Sequence, residues 1–103
     1  MASMGKIMKQ AKKMQEDILK AQQELVALTV EGTAAGGVVK VKCNGEMKIQ
    51  DVKIDPEILK ENDAEMIQDM VLAAIRASQE KAKKESTEIM GKVSGGMNIP
   101  GLM

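Results

Sequence analysis

From Met4 to Leu28 the apolar residues return at a 3-4-3-4 spacing: Met4, Ile7, Ala11, Met14, Ile18, Ala21, Leu25 and Leu28. This unbroken heptad seam predicts a single helix of about 37 Å at ~1.5 Å per residue. The period then shortens to two. "LTVEG" predicts a first strand from near Ala27 to the Gly32 region, and "AAGG" over residues 34–37 predicts a glycine turn. In "VVKVKC", Val39, Val41 and Cys43 form one face of a second strand and Lys40 and Lys42 the other, a face left for the helices to cover. Asn44-Gly45 is a strong hairpin signal. In "EMKIQDVKI", Met47 and Ile49 share a face while Val52 and Ile54 fall out of step with them, which predicts a bulge near Gln50-Asp51.

Asp55-Pro56 ends the third strand and opens a short helical turn capped by Asp55. Asn62 or Asp63 then caps a second long helix, from about Ala64 to Gly91, with a stripe of Ile67, Met70, Val71, Ala74, Ser78, Ala82 and Ile89. The expected architecture is α+β: a helix, a three-stranded antiparallel β-meander and a long helix, in one domain over residues 1–93. Residues 94–103, "SGGMNIPGLM", read as a flexible glycine-, methionine- and proline-containing tail. Strands of this length span only ~23 Å, so both helices must overhang the sheet. An overhanging seam needs a partner, either the other helix or a second copy of the chain.

Composition narrows the chemistry. The chain has 103 residues, no histidine, no aromatic residue, one cysteine and ten methionines. At this size dimerisation helps to complete a core. Without histidine the usual general base and the commonest nitrogen ligand for metals are missing, and without aromatics single-stranded bases have no platform to stack on. Cys43 alone forms no internal disulfide and no thiolate cluster, and in a strand pattern it reads as a small buried hydrophobe. There is no nucleophile–base pair, no P-loop and no G-x-G-x-x-G, so no enzyme, cofactor or metal site is expected. The lone cysteine makes a reducing cytoplasm the expected location, and no apolar run approaches the ~20 residues of a membrane span, nor does a signal-peptide h-region follow the N-terminus.

The formal net charge is zero, but it is unevenly spread. Residues 1–15 carry Lys6, Lys9, Lys12 and Lys13 and no acid; in the heptad register these and Lys20 fall at outer positions, away from the seam. An unmixed basic run at a helix start opposes the helix dipole. Residues 55–69 carry Asp55, Glu57, Glu61, Asp63, Glu65 and Asp69 against Lys60 alone. On the second helix Arg76, Lys81, Lys83, Lys84 and Lys92 alternate with Glu80, Glu85 and Glu88. Local fields rather than the total attract polyanions. A plain solvated helix face is the competing reading of the lysines, and on the second helix the mixed signs favour it.

Taken in order, "MGKIMKQAKKMQEDILKAQQEL", "VEGTAAGGVVKVKCNGEMKIQDVKIDPEIL", "LAAIRASQEKAKKES" and "GGMNIPGLM" resemble the first helix, central sheet, second helix and tail of the YbaB/EbfC family of bacterial nucleoid-associated proteins. The resemblance covers essentially the whole chain. It implies a tweezer-shaped homodimer that binds double-stranded DNA with little sequence preference, in the nucleoid, through charged positions of its projecting helices. On that basis Lys6, Lys9, Lys12, Lys13 and Lys20 are the first-helix candidates, and Arg76, Lys81, Lys83 and Lys84 those of the second. The seam residues Met4, Ile7, Ala11, Met14, Ile18 and Leu25 are candidates for the core or the dimer interface. A protein-binding adaptor acting near DNA repair or replication is the alternative.

Overall fold

The computed structural model describes residues 3–93, and the tail expected over residues 94–103 lies outside them. The elements run α1 (Met4–Ala27), β1 (Thr29–Ala34), a 3-10 turn (Ala35–Gly37), β2 (Val39–Asn44), β3 (Ile49–Ile54), α2 (Pro56–Leu59) and α3 (Ala64–Val93). The sheet is an antiparallel meander in the order β1-β2-β3. Each helix begins at a side-chain cap. Ser3 Oγ accepts from Lys6 N at 3.2 Å, Asp55 Oδ1 from Glu57 N at 3.0 Å, and Asp63 Oδ1 from Met66 N at 3.0 Å, satisfying amides that have no partner within the helix. Of the two residues considered for the third cap, Asp63 fills it. Asn62 instead takes a left-handed φ of 52° as the chain turns out of α2.

β1 begins two residues later than expected and runs on to Ala34, because its partners continue: Thr29 faces Asn44 and Ala34 faces Val39. The bulge lies where the broken alternation placed it. Lys42 pairs with Asp51 but Cys43 pairs with Ile49, leaving Gln50 as the extra residue. That insertion returns Ile49, Val52 and Ile54 to one face, opposite Cys43, Val41 and Val39. The second hairpin differs from the sequence reading. Gly45 does not take a positive φ, whereas Met47 does, at 67°. The turn is held by Asn44, 5% exposed, whose Oδ1 accepts from Glu46 N at 2.9 Å and Lys48 N at 3.0 Å. Gly45 is needed for a close approach: its N–H donates to Leu25 O at 2.7 Å, and a Cβ there would stand 2.8 Å from Leu25 Cα.

α3 lies across the valine face of β1 and β2. The core is thin, with Val30, Val39, Val41, Cys43, Ala74 and Ala82 buried and, among the described residues, no completely buried side chain larger than valine. Small residues let α3 approach to backbone contact. Gly32 faces Ala74 and Ser78, and Cys43 Sγ donates to Ser78 O at 3.3 Å. Each fully buried valine contributes roughly 1.5–3 kcal/mol. The lysine face of the sheet, with Lys40 exposed and Lys42 half-buried, is the one the helices leave uncovered.

α3 leaves most of β3 uncovered, and only Ile54 is half-buried against the cluster of Val39, Val41 and Ala74. Ile49 and Val52 stay 40% and 42% exposed, although they share the face that α3 covers elsewhere. α1 packs against the far half of α3 and runs antiparallel to it. Leu28 joins the Ala82 cluster, while Asp17, Ala21 and Glu24 line a 270 Å³ cleft with Ile89 and Val93. Ala21 is buried and Ile18, Leu25 and Leu28 half-buried, but Met4, Ile7, Ala11 and Met14 are exposed. One chain therefore closes only the later half of its seam. The molecule measures 72 × 23 × 16 Å. The ~45 Å of α3 and the ~20 Å of α1 beyond it account for most of that length.

Candidate nucleic-acid interface

The arm formed by the first half of α1 carries the densest positive charge. Lys6, Lys9, Lys12 and Lys13 are exposed, and none accepts an acid as partner: the salt bridges among the described residues are Lys48–Glu46 and Lys60–Glu57. The first acid on the helix is Glu16. Lys6, Lys9 and Lys13 follow an i, i+3, i+7 spacing, so they align along ~10 Å of one helix face. Duplex DNA presents a phosphate per ~1.7 Å of its axis, so that length of backbone can supply an anion to each lysine. Among the described residues the side chains of this arm, from Met4 to Glu16, are all exposed.

The other candidates divide. Lys20 is exposed but lies on the rim of the α1–α3 cleft with Asp17, Glu24 and Lys92, where charges of both signs meet. Arg76 and Lys83 lie two turns apart on α3 with Glu80 between them, a mixed stripe. Lys83 and Lys84 are exposed. Lys81 is committed elsewhere: its Nζ donates to Glu31 O of β1 at 2.8 Å, holding the side chain against the sheet. The structure thus brings Lys6, Lys9, Lys12 and Lys13 together as one basic arm, and does not join the α3 cations to it as a continuous patch.

Two features escaped the sequence reading. Lys40 stands directly opposite Lys53 on the open face of the sheet, an unfavourable like-charge pair. Its signal was available only through the strand register. Leu19 and Val26 are 58% and 54% exposed on the outer side of α1, where they line a 530 Å³ groove with Ala27 and Glu46. They fall at the same outer heptad position as Lys12, one that the seam pattern assigns to solvent.

Among the described residues, no three His, Cys, Asp or Glu side chains converge as metal ligands, and no helix is long and apolar enough to cross a membrane. The sequence profile of the YbaB/EbfC DNA-binding family matches residues 1–97. A nucleoid-associated protein of Pelotomaculum thermopropionicum is 48% identical over 100 residues, covering 97% of this chain and 95% of that protein. One from Caldanaerobacter subterraneus is 42% identical over 100 residues, covering 97% and 90%. In fold, the chain is similar to the crystal structure of the uncharacterized protein HP0035 from Helicobacter pylori. The TM-score is 0.75 at 16% identity, covering 89% of this chain and 97% of that one.

Proposed function

The chain belongs to the YbaB/EbfC DNA-binding family, and from that membership we propose that it binds duplex DNA as a homodimer, with little sequence preference, as a nucleoid-associated protein of the bacterial cytoplasm. The observation that carries this reading is the α1 arm, with four exposed lysines and no acid paired to them among the described residues. Lys6, in the first turn of α1, is unfavourable to the helix itself by roughly 0.3–1 kcal/mol. A polyanion at the arm offsets that cost.

Lysine is a point charge on a flexible stem, suited to phosphate oxygens, whereas bidentate guanine reading favours arginine. The one arginine, Arg76, sits in the mixed stripe of α3 beside Glu80. No aromatic wedge is present to open a base step. The contacts assigned here are therefore to the backbone: Lys6, Lys9, Lys12 and Lys13 first, Lys20, Arg76, Lys83 and Lys84 at the margin, and Lys81 held back by β1.

The second copy is supported by what one chain leaves open. The exposed half of the seam, Ile49 and Val52 on β3, and Leu19 and Val26 on α1 are apolar positions that a second copy would cover. A mobility-shift titration with unrelated duplexes of equal length tests the proposal. Affinities should agree within about tenfold, ~1.4 kcal/mol. A thousandfold preference for one duplex would point to a base-reading element, and absence of duplex binding even at low salt would favour the protein-binding adaptor.

A further inference from the structure

The described part of α3 ends at Val93, and its last turns meet α1 at the level of Asp17 and Ala21, where Ile89 and Val93 line the shared cleft. From there to the start of α1 the seam is open, with Met4, Ile7, Ala11 and Met14 all exposed. The two helices run antiparallel, Leu28 packing on the Ala82 cluster and Ala21 lying beside Ile89 and Val93. At Val93 the chain is therefore heading along the open seam. Residues 94–103, "SGGMNIPGLM", follow directly from that point.

The composition of those residues suits the face they arrive at. They carry no charged side chain, and Met97, Ile99, Leu102 and Met103 are apolar. Gly95 and Gly96 weaken a helix and Pro100 breaks one, so an extended path is favoured. Extended, residues 94–103 reach about 33 Å, whereas the seam from Ala21 to Met4 measures about 25 Å along the helix. The cations of the arm do not obstruct this path: Lys6, Lys9, Lys12 and Lys13 stand ~110–170° round the helix from the middle of the seam. We infer that residues 94–103 run back along the open seam of α1 in the same molecule, on the line that α3 has left. Met97 seats near Ala11 and Met14, Ile99 near Ile7 and Ala11, and Leu102 near Met4. The contact carries the α1–α3 packing to the start of the arm while its lysines stay in solvent. Of the apolar positions open in one chain it takes the seam, and it leaves Ile49, Val52, Leu19 and Val26 to a second copy. It goes beyond the DNA-binding reading and does not depend on it.

Cysteine pairing tests it on the full chain without DNA. One variant is Ala11→Cys with Ile99→Cys; the control is Lys9→Cys with Ile99→Cys, at nearly the same height but ~160° round the helix. Both helix positions are exposed, and circular dichroism checks that each variant keeps its helices. Cys43 is fully buried and stays out of the exchange. In dilute protein with a glutathione redox buffer, the Ala11 pair should close at least about tenfold faster than the Lys9 pair, because docking raises the local thiol concentration. Non-reducing gels and peptide mapping should place the bridge within one chain. Equal rates for the two pairs would mean that residues 94–103 only sweep past the helix, and would overturn the inference. A bridge formed mainly between two chains would overturn it too, by giving the seam to a second copy. Met97→Ser with Ile99→Ser and Leu102→Ser gives a reading that needs no new cysteine. In hydrogen exchange followed by mass spectrometry, amides of residues 4–14 should exchange at least about fivefold faster than in the wild type. Those of residues 82–91 should keep the wild-type rate. Unchanged exchange over residues 4–14 would equally refute the contact. Neither assay contains DNA, so a failure to bind duplex would sink the functional proposal and leave these results standing.

Discussion

Replacing Gly32 with alanine adds one methyl group at the tightest contact between sheet and helix. The new Cβ would lie 2.5 Å from Ala74 O and 2.7 Å from Ser78 Cα, whereas ordinary contact begins at 3.4 Å. Both obstacles are backbone, so no rotamer change relieves them and α3 must retreat by close to ~1 Å. A gap of that size forfeits a quarter to a half of the dispersion attraction across it. The loss falls on Val30, Val39, Val41 and Cys43, which form most of the buried face of the sheet. The bond from Cys43 Sγ to Ser78 O, already 3.3 Å, lengthens as well. Overpacking of this kind costs about 1–3 kcal/mol, and a rigid obstacle places it near ~3 kcal/mol. For a domain of this size Tm should fall by roughly 12–24 °C. Thermal unfolding followed by helical circular dichroism, at fixed protein concentration, measures it. Gly91→Ala is the matched control. Nothing lies within 4 Å of its added methyl, so in a helix it should stabilise by about 0.5–1 kcal/mol. A Gly32→Ala protein within ~0.5 kcal/mol of its parent would refute the seating of α3 on β1.

Asn44→Ala removes the acceptor for the amides of Glu46 and Lys48, and chemical denaturation should show a loss of about 1–3 kcal/mol. The Cys43 thiol, fully buried, should be inert to a thiol-specific reagent in the folded protein and react at once in denaturant; rapid native labelling would contradict the burial. Sedimentation equilibrium at micromolar concentration and moderate salt should report about twice the chain mass of 11.1 kDa. A clean monomer there would sink the homodimer and the two-armed mode of binding.

The heptad seam, the alternating valines and the paired glycines each reflect a local rule, and the helices and strands follow them closely. The bulge was legible for the same reason, since Ile49 and Val52 cannot share a face without an extra residue. What stayed hidden depends on neighbours distant in sequence. Asn44-Gly45 was read for backbone conformation, yet the glycine answers to Leu25, about twenty residues away in the chain. Lys81 reads as one more surface cation until β1 arrives beside it. The sequence placed Lys40 and Lys42 on a face for the helices to cover, but the small stripe of Ala74, Ser78 and Ala82 meets Gly32 and seats α3 on the valine face instead. For the candidate site, the basic run was visible at once, because charge needs no fold to be counted. Its separation from Arg76, Lys83 and Lys84 was not, because it depends on where α1 overshoots α3.

The salt dependence of duplex binding tests the central claim, that the outward lysines of α1 meet phosphates. If a dimer uses three or four lysines per arm, the slope of log K against log salt should be roughly −5 to −7, at about −0.9 per neutralised phosphate. Lys6→Gln with Lys9→Gln and Lys13→Gln should make it much shallower and weaken all duplexes alike. Stability should barely change, since these positions are exposed and glutamine is a good helix former. Lys60→Gln, at the acidic end beside Glu57, should leave the slope as it was. A folded triple variant that binds duplex with the slope of the parent would contradict the account and make the arm's lysines a solvated surface.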